Sequence, residues 1–249
     1  IFTLVGIAVK SRPNVSANQK RWGCIAQLEL KMTRKVVTGS PHREVGIINP
    51  RWLIDHPIHH ESHLERRFVM ATLACPVVID IVHQPISISL GDGGTYTPDF
   101  LVEFVDGNSV YVEVKPRKFL PKHQAKLDAA KSAFTSQGKK FLVITDAEID
   151  KNGLGKRAIL LMRYARMHLD SSAILDCIQL VEQMAIDNPT VRDLLEEGLS
   201  DAEIWGLVAR HKLRIPPGID LEATTPVSIN NQMENCHDQL CAWFDIEAR

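Results

Sequence analysis

The strongest constraint in this sequence is a pair of β-rich runs, residues 98–105 and 109–115, separated by Asp106-Gly107-Asn108. An Asp-Gly step between two such runs favours a tight reversal, so the segment predicts an antiparallel hairpin. With the reversal near Asp106-Gly107, Asp99 is expected beside Val114 and within reach of Glu113. Side chains alternate along a strand, so Glu113 and Lys115 share one face while Val112 and Val114 share the other. Two carboxylates and an ammonium then meet where each alone is costly to bury. Oxygen donors at this density suit a hard cation, Mg²⁺ above all, which activates water and stabilises charge on a phosphate under attack. Lys115 would orient that water or neutralise the developing charge. The same spacing also fits a solvated strand end with an ion pair, and spacing alone leaves both readings open.

The flanks extend the hairpin into an α/β core. Leu64, Phe68, Met70 and Leu73 suit a helix starting after Ser62, with Glu65 as a capping-box partner, and Cys75-Pro76 ends it. Residues 77–82 and 85–90 read as strands, and Gly91-Asp92-Gly93-Gly94 as a turn. Residues 122–137 have helical spacing through Ala125, Leu127, Ala130 and Phe134, stopped by Gly138, and residues 140–145 form a short apolar strand. The expected sheet is covered on both sides. After Asp170 the chain turns helical: residues 172–186, a short helix from Pro189 to Glu197, then a Ser200–Glu203 capping box before residues 204–212. Two short helices joined at Gly198 read as a helix-turn-helix. The tail from Ile215 is poorly periodic and expected to be extended.

Charge divides the chain. The total is −1, yet residues 1–60 carry nine basic and three acidic side chains, while residues 171–249 carry five and 14. A basic front and an acidic back suggest that one part meets a polyanion and the other something else. The expected organisation is a basic portion at 1–60, an α/β core at 61–168 and a helical module at 169–249. Within 1–60, residues 25–37 suit a strand or hairpin and residues 38–42 a loop. No apolar run approaches the roughly 18 residues of a membrane span, so no membrane partner is expected. The opening residues lack a signal pattern, and Ile1 is not a start residue, so a preceding segment is expected. Five scattered cysteines form no C-x-x-C pair and point to a reducing cytoplasm.

Pro98-Asp99-Phe100, followed across a hairpin by Glu113-Val114-Lys115, resembles the PD-(D/E)xK motif of restriction-endonuclease-like folds. The wider set is narrower: Glu61-Ser62-His63-Leu64-Glu65, Gln84-Pro85, Tyr96-Thr97-Pro98-Asp99-Phe100, Glu113-Val114-Lys115-Pro116 and Phe141-Leu142-Val143-Ile144-Thr145-Asp146. In that order they resemble TnsA, the endonuclease subunit of heteromeric, Tn7-like cut-and-paste transposases. The resemblance implies a mixed sheet flanked by helices, with Glu65, Asp99, Glu113 and Lys115 catalytic. It places metal on Glu65, Asp99, Glu113 and the Val114 backbone carbonyl. Glu61 is a rival for the helix carboxylate. The implied cofactor is Mg²⁺, with Mn²⁺ able to substitute and two ions expected. The implied activity is hydrolysis of the 5′ strands at transposon ends in double-stranded DNA. The implied partners are a DDE-type, TnsB-like transposase and a TnsC-like ATPase regulator held by the C-terminal module, in a bacterial cytoplasm. A stand-alone restriction or repair nuclease, or a catalytically spent DNA-binding subunit, are the alternatives.

Other charged groups fit this frame unequally. Lys118, Lys122 and Lys126 are four apart and would form a phosphate-tracking stripe wherever a helix spans them. His56, His59, His60 and His63 mimic a metal motif, but no cysteine or acid spacing supports zinc, and structural or solvent roles are preferred. The helix-turn-helix carries Asp193, Glu196, Glu197, Asp201 and Glu203, which would repel phosphate. Only Arg210, Lys212 and Arg214 crowd its far end. A packing module with an acidic docking surface is preferred over base reading, and removal of residues 171–249 is expected to leave a nicking-competent core.

Overall fold

The computed structural model describes residues 45–90, 93–185, 188–231 and 234–247. The basic front, with its expected strand at 25–37 and loop at 38–42, lies outside the described residues, as do Gly91 and Asp92 of the expected turn. The chain falls into two units, Ile1–Leu30 and Lys31–Arg249, and everything described belongs to the second.

Strands β1 (Gly46–Ile48) and β2 (Ile58–His60) pair as a small ribbon before helix α1 (His63–Leu73). Then come β3 (Val78–His83), the two-residue strands β4 (Ile88–Ser89) and β5 (Thr95–Tyr96), and the hairpin β6 (Phe100–Phe104) and β7 (Ser109–Lys115). Helix α2 (Leu120–Thr135) leads to β8 (Lys140–Thr145), and α3 (Asp146–Ile149) and α4 (Leu154–Tyr164) follow. The remainder comprises α5 (Ser171–Gln183), α6 (Val191–Glu196), α7 (Asp201–Ala209), β9 (Leu213–Arg214), β10 (Ser228–Ile229) and α8 (Cys236–Trp243).

The main sheet has the order β3-β6-β7-β8. Its first two pairings are antiparallel and β7–β8 is parallel, because α2 carries the chain back across the sheet. Alternation along the strands divides the hydrophobic side chains between two cores. Phe100, Val102, Phe104, Val110, Val112, Val114 and Ile144 join α1, α4 and the C-terminal helices in one cluster. Leu101, Tyr111 and Phe141 pack with Leu127, Ala130 and Phe134 of α2 in the other. A mixed sheet flanked by helices is therefore present, as the hairpin and its neighbours imply. Glu113 and Lys115 lie on the α2 side and Val112 and Val114 on the α1 side.

Several expectations change. The strand at 85–90 shrinks to Ile88–Ser89, and β3 carries an irregularity between Val78 and Asp80 that leaves Ile79 38% exposed. Helix α4 has no counterpart in the sequence reading, although Leu154, Ala158, Leu161, Met162 and Ala165 are buried at helical spacing. The tail is not extended throughout. It forms α8, which buries Leu240, Cys241, Trp243 and Phe244.

The C-terminal elements complete the core around α1. Phe244 stacks on Phe68 with ring centroids 5.7 Å apart, and the Trp243 indole N–H donates to the Ala71 carbonyl at 2.9 Å. The His211 ring donates to the Leu73 carbonyl at 2.9 Å. These bonds satisfy carbonyls that the end of a helix leaves unpaired. Burial holds His211 down to about 4, so the neutral ring serves this role. Both α6 and α7 start with capping boxes, Thr190 with Asp193 and Ser200 with Glu203. Helix α7 is buried from Ile204 through Ala209, and Gly206 admits Leu169 so closely that a Cβ would meet it at 3.0 Å. Only the first turn of α7 and Arg210 at its end retain any exposure. Arg210 is also engaged, donating to the carbonyls of Ala165 and Met167. Because the sheet and these helices share one hydrophobic cluster, removing residues 171–249 strips the cover from Phe68, Ala71 and Leu73.

Candidate active site

The site lies where β6 begins and β7 ends. Register pairs Phe100 with Val112 and Leu101 with Tyr111, so Asp99, just outside the ladder, continues onto Glu113 rather than Val114. That shift of one residue places both carboxyl positions on one face of the sheet. Val114 still takes part, because its N–H donates to Asp99 Oδ2 at 2.8 Å. The observed Val114 contact is thus through its amide N–H. Glu113 is 5% exposed and forms an ion pair with Lys115.

Glu65 arrives from the first turn of α1. Ser62 caps that helix, accepting from the Glu65 N–H at 3.1 Å. The Glu65 carboxylate in turn accepts from Ser62 Oγ at 2.9 Å and from the Glu61 N–H at 2.6 Å. Capping and proximity to the hairpin therefore coexist in one side chain. Glu61 reaches sideways, accepting from Gln84 Nε2 at 3.3 Å, and Gln84 N–H donates to the Asp99 carbonyl at 2.7 Å.

Electrostatics tie these groups together. Asp99 is half-buried by surface, but protein atoms surround its carboxyl closely. Desolvation first, then Glu113 and Glu65, raise its pKa well above the usual range. Burial also raises Glu65, with Glu61 and Glu113 adding to it against the bonds from Glu61 and Ser62. Desolvation works against the Lys115 ammonium, but Glu113, Asp99 and Glu65 outweigh it and raise its pKa. Lys115 is therefore a fixed positive charge here, suited to orienting or neutralising rather than to removing a proton.

Tyr96 was not singled out as a site residue from the sequence, yet it forms one wall. Its buried hydroxyl faces Glu113 without a partner in ordinary hydrogen-bond geometry, and burial and Glu113 raise its pKa. The Lys126 ammonium lies over its ring, 5.5 Å from the centroid. Its place on the strand opposite Ile88 could have been read only with the β4–β5 pairing in hand.

The cationic stripe is shorter than the spacing suggests. Helix α2 starts at Leu120, so Lys122 and Lys126 share a helical face, whereas Lys118 belongs to the 3₁₀ turn Arg117–Phe119. All three are exposed. The histidines are dispersed. His56 bonds to Asp80 Oδ1 at 2.7 Å, and the His60 ring lies over Gly46, where a Cβ would meet it at 2.5 Å. His59 stands 6.4 Å from the His83 ring, and burial lowers His83 to about 4.

An all-oxygen donor set in which burial and neighbouring acids raise the proton affinities of Asp99 and Glu65 fits a hard divalent cation. Among the described residues, however, no three His, Cys, Asp or Glu side chains already converge as a ligand cluster. Glu113 is turned to Lys115, Glu65 to its own helix cap, and Asp99 to Val114.

A mixed sheet with two acids and a lysine at the end of its central hairpin is the arrangement of a nuclease-like α/β domain. Residues 75–146 match the family model described as the TnsA-like endonuclease N-terminal domain, and over that stretch the chain is TnsA-like. Asp99, Glu113 and Lys115 fall inside the match, whereas Glu65 and α1 precede it. No curated protein matched the chain. No helix among the described residues is long and apolar enough to cross a membrane.

Proposed function

We propose that the protein is a Mg²⁺-dependent DNA endonuclease subunit of a heteromeric transposase, hydrolysing the 5′ strands at transposon ends. The observation that carries this reading is the Asp99–Glu113–Lys115 set, joined through the Val114 amide, inside the TnsA-like stretch. Asp99 and Glu113, with Glu65 beside them, would hold the cation, which when bound would lower the pKa of a water and so supply a hydroxide-like nucleophile for phosphorus. The residues themselves do the positioning. Val114 fixes the Asp99 carboxylate, and the Ser62 cap fixes the approach of Glu65. Lys115 places a positive charge where the attacked phosphate gains negative charge. Lys122 and Lys126 take neighbouring phosphates. A DDE-type partner would cut the 3′ strands, and an ATPase regulator would bind the C-terminal surface. Of the acids expected there, Asp193 and Glu203 are engaged in caps and Asp201 accepts from the Trp205 indole, which leaves Glu196 and Glu197 for docking.

One observation favours a second reading. The Lys115–Glu113 pair and the dispersed carboxylates suit a catalytically spent, DNA-binding subunit. Transposon-end DNA incubated with Mg²⁺, with and without a DDE-type partner, separates the cases. Strand-specific 5′ cutting that needs the partner and disappears in Asp99→Ala supports the proposal. Efficient cutting alone points to a stand-alone nuclease, and no cutting under either condition to the spent subunit.

A further inference from the structure

Phe119 stands apart from the other described phenylalanines. Phe68, Phe100, Phe104, Phe134, Phe141 and Phe244 are each exposed at 7% or less, whereas Phe119 is 45% exposed. It belongs to neither hydrophobic cluster. The Lys118 ammonium lies over its ring, 4.9 Å from the centroid. The backbone beneath it is fixed. The Phe119 N–H donates to the Pro116 carbonyl at 2.8 Å, and the Arg117 N–H donates to Asp146 Oδ1 at 2.5 Å. Phe119 lies four positions after Lys115. Even a fully extended chain of that length spans at most about 14 Å, and a 3₁₀ turn rises only about 2 Å per residue. The turn that carries the ring therefore stays close to the strand end that carries Lys115.

We propose that Phe119 is a nucleobase-stacking site that engages an unstacked base beside the scissile phosphate; this rests on reading the Lys115 face as the DNA face. DNA is the ligand whose chemistry matches the whole turn, with phosphates for Arg117, Lys118 and Lys122 and a base π-face for the ring between them. A protein partner matches less well, because interface centres are depleted in charged residues and in lysine especially. A cation over an exposed ring is weakly held, so Lys118 can leave for a phosphate and open the ring face.

The test uses the full chain, with Ca²⁺ in place of Mg²⁺ to permit binding without cutting. Its probes are a fully paired duplex and the same duplex carrying one mismatched pair, whose bases unstack more easily. The wild type should prefer the mismatched duplex about tenfold, the scale of one base stacked on an aromatic ring. Phe119→Ala should bring that preference close to unity without changing the salt dependence, and Phe119→Trp should restore it. Lys118→Ala should weaken both duplexes alike and reduce the salt slope. Retention of the preference in Phe119→Ala overturns the proposal, as does equal binding of both duplexes by the wild type. If the preference depends on Phe119 but the wild type never cuts in Mg²⁺, the stacking site stands and the nuclease reading falls. Cutting by the wild type with a preference indifferent to Phe119 does the reverse.

Discussion

The acids at the hairpin end and the acids of the C-terminal helices are chemically alike and energetically opposed. Asp193 and Glu203 close capping boxes, and the hydroxyl and N–H donors of Thr190 and Ser200 hold their pKa values below the usual range. Asp99 and Glu65 are held above it, chiefly by desolvation and then by one another's neighbours. A carboxylate that accepts local N–H bonds at a helix start stabilises the fold. One crowded against other acids stores repulsion that a cation or a proton relieves. The first region is built for stability and the second at its expense.

The two regions should therefore respond to pH with opposite signs. Stability from the Asp193 and Glu203 caps is present above the unfolded carboxylate pKa and is lost as pH falls through their lowered folded values. Asp99 binds its proton more tightly when folded, so its contribution is lost as pH rises from the unfolded value through the raised folded one.

The sharpest break in the comparison is Asp99→Asn. Nicking should fall by at least about 10²–10³-fold, as when an enzyme loses a principal electrostatic group. In a chelator at neutral pH the variant should nonetheless melt higher than the wild type, the two converging near acid pH. Melting curves across pH in EDTA check this, and a variant that melts lower at neutral pH would contradict the stored repulsion. Next in size is Trp243→Ala, which opens the cover over α1 and should destabilise the protein by about 3–5 kcal/mol in urea. If Trp243→Ala leaves the unfolding midpoint unchanged, the C-terminal helices are a separable appendage after all. Ser200→Ala tests the cap side alone. It should lower stability by about 1 kcal/mol and leave the nicking rate per folded molecule unaltered. The smallest effect belongs to His56. Partial burial opposes its charge, but the Pro57 carbonyl and Asp80 raise its pKa. Its contribution is present below the unfolded pKa and fades as pH rises through the folded one. His56→Asn should remove that alkaline decline with a change in Tm below about 3 °C.

Much of this was legible in residue order. The hairpin, the facing of Glu113 and Lys115, the Ser62–Glu65 cap and the stop at Gly138 each depend on contacts a few residues apart. A turn, a cap or an alternation is fixed by local chemistry. The register at Asp99 was one residue off, because the bond from Val114 to Asp99 and the pairing of Glu113 opposite it are both close and only the ladder distinguishes them. Helix α4 was legible in principle from its buried spacing. The α8 tail was harder, because its helix is short and is stabilised by Phe68 and Ala71, some 170 residues earlier in the chain.

The sequence by itself determined the hairpin, its capped neighbour helix and the residues available for chemistry: two acids and a lysine on one hairpin, a carboxylate on a capped helix, a TnsA-like order of words. Tertiary structure alone decided which acids oppose one another, and that the helical C-terminus covers α1 instead of standing free. It also decided that Tyr96 faces Glu113 while Phe119 faces solvent. The physical reason is range. Capping and alternation act over one turn of chain, whereas desolvation and charge repulsion depend on distances that exist only once the sheet and helices have packed.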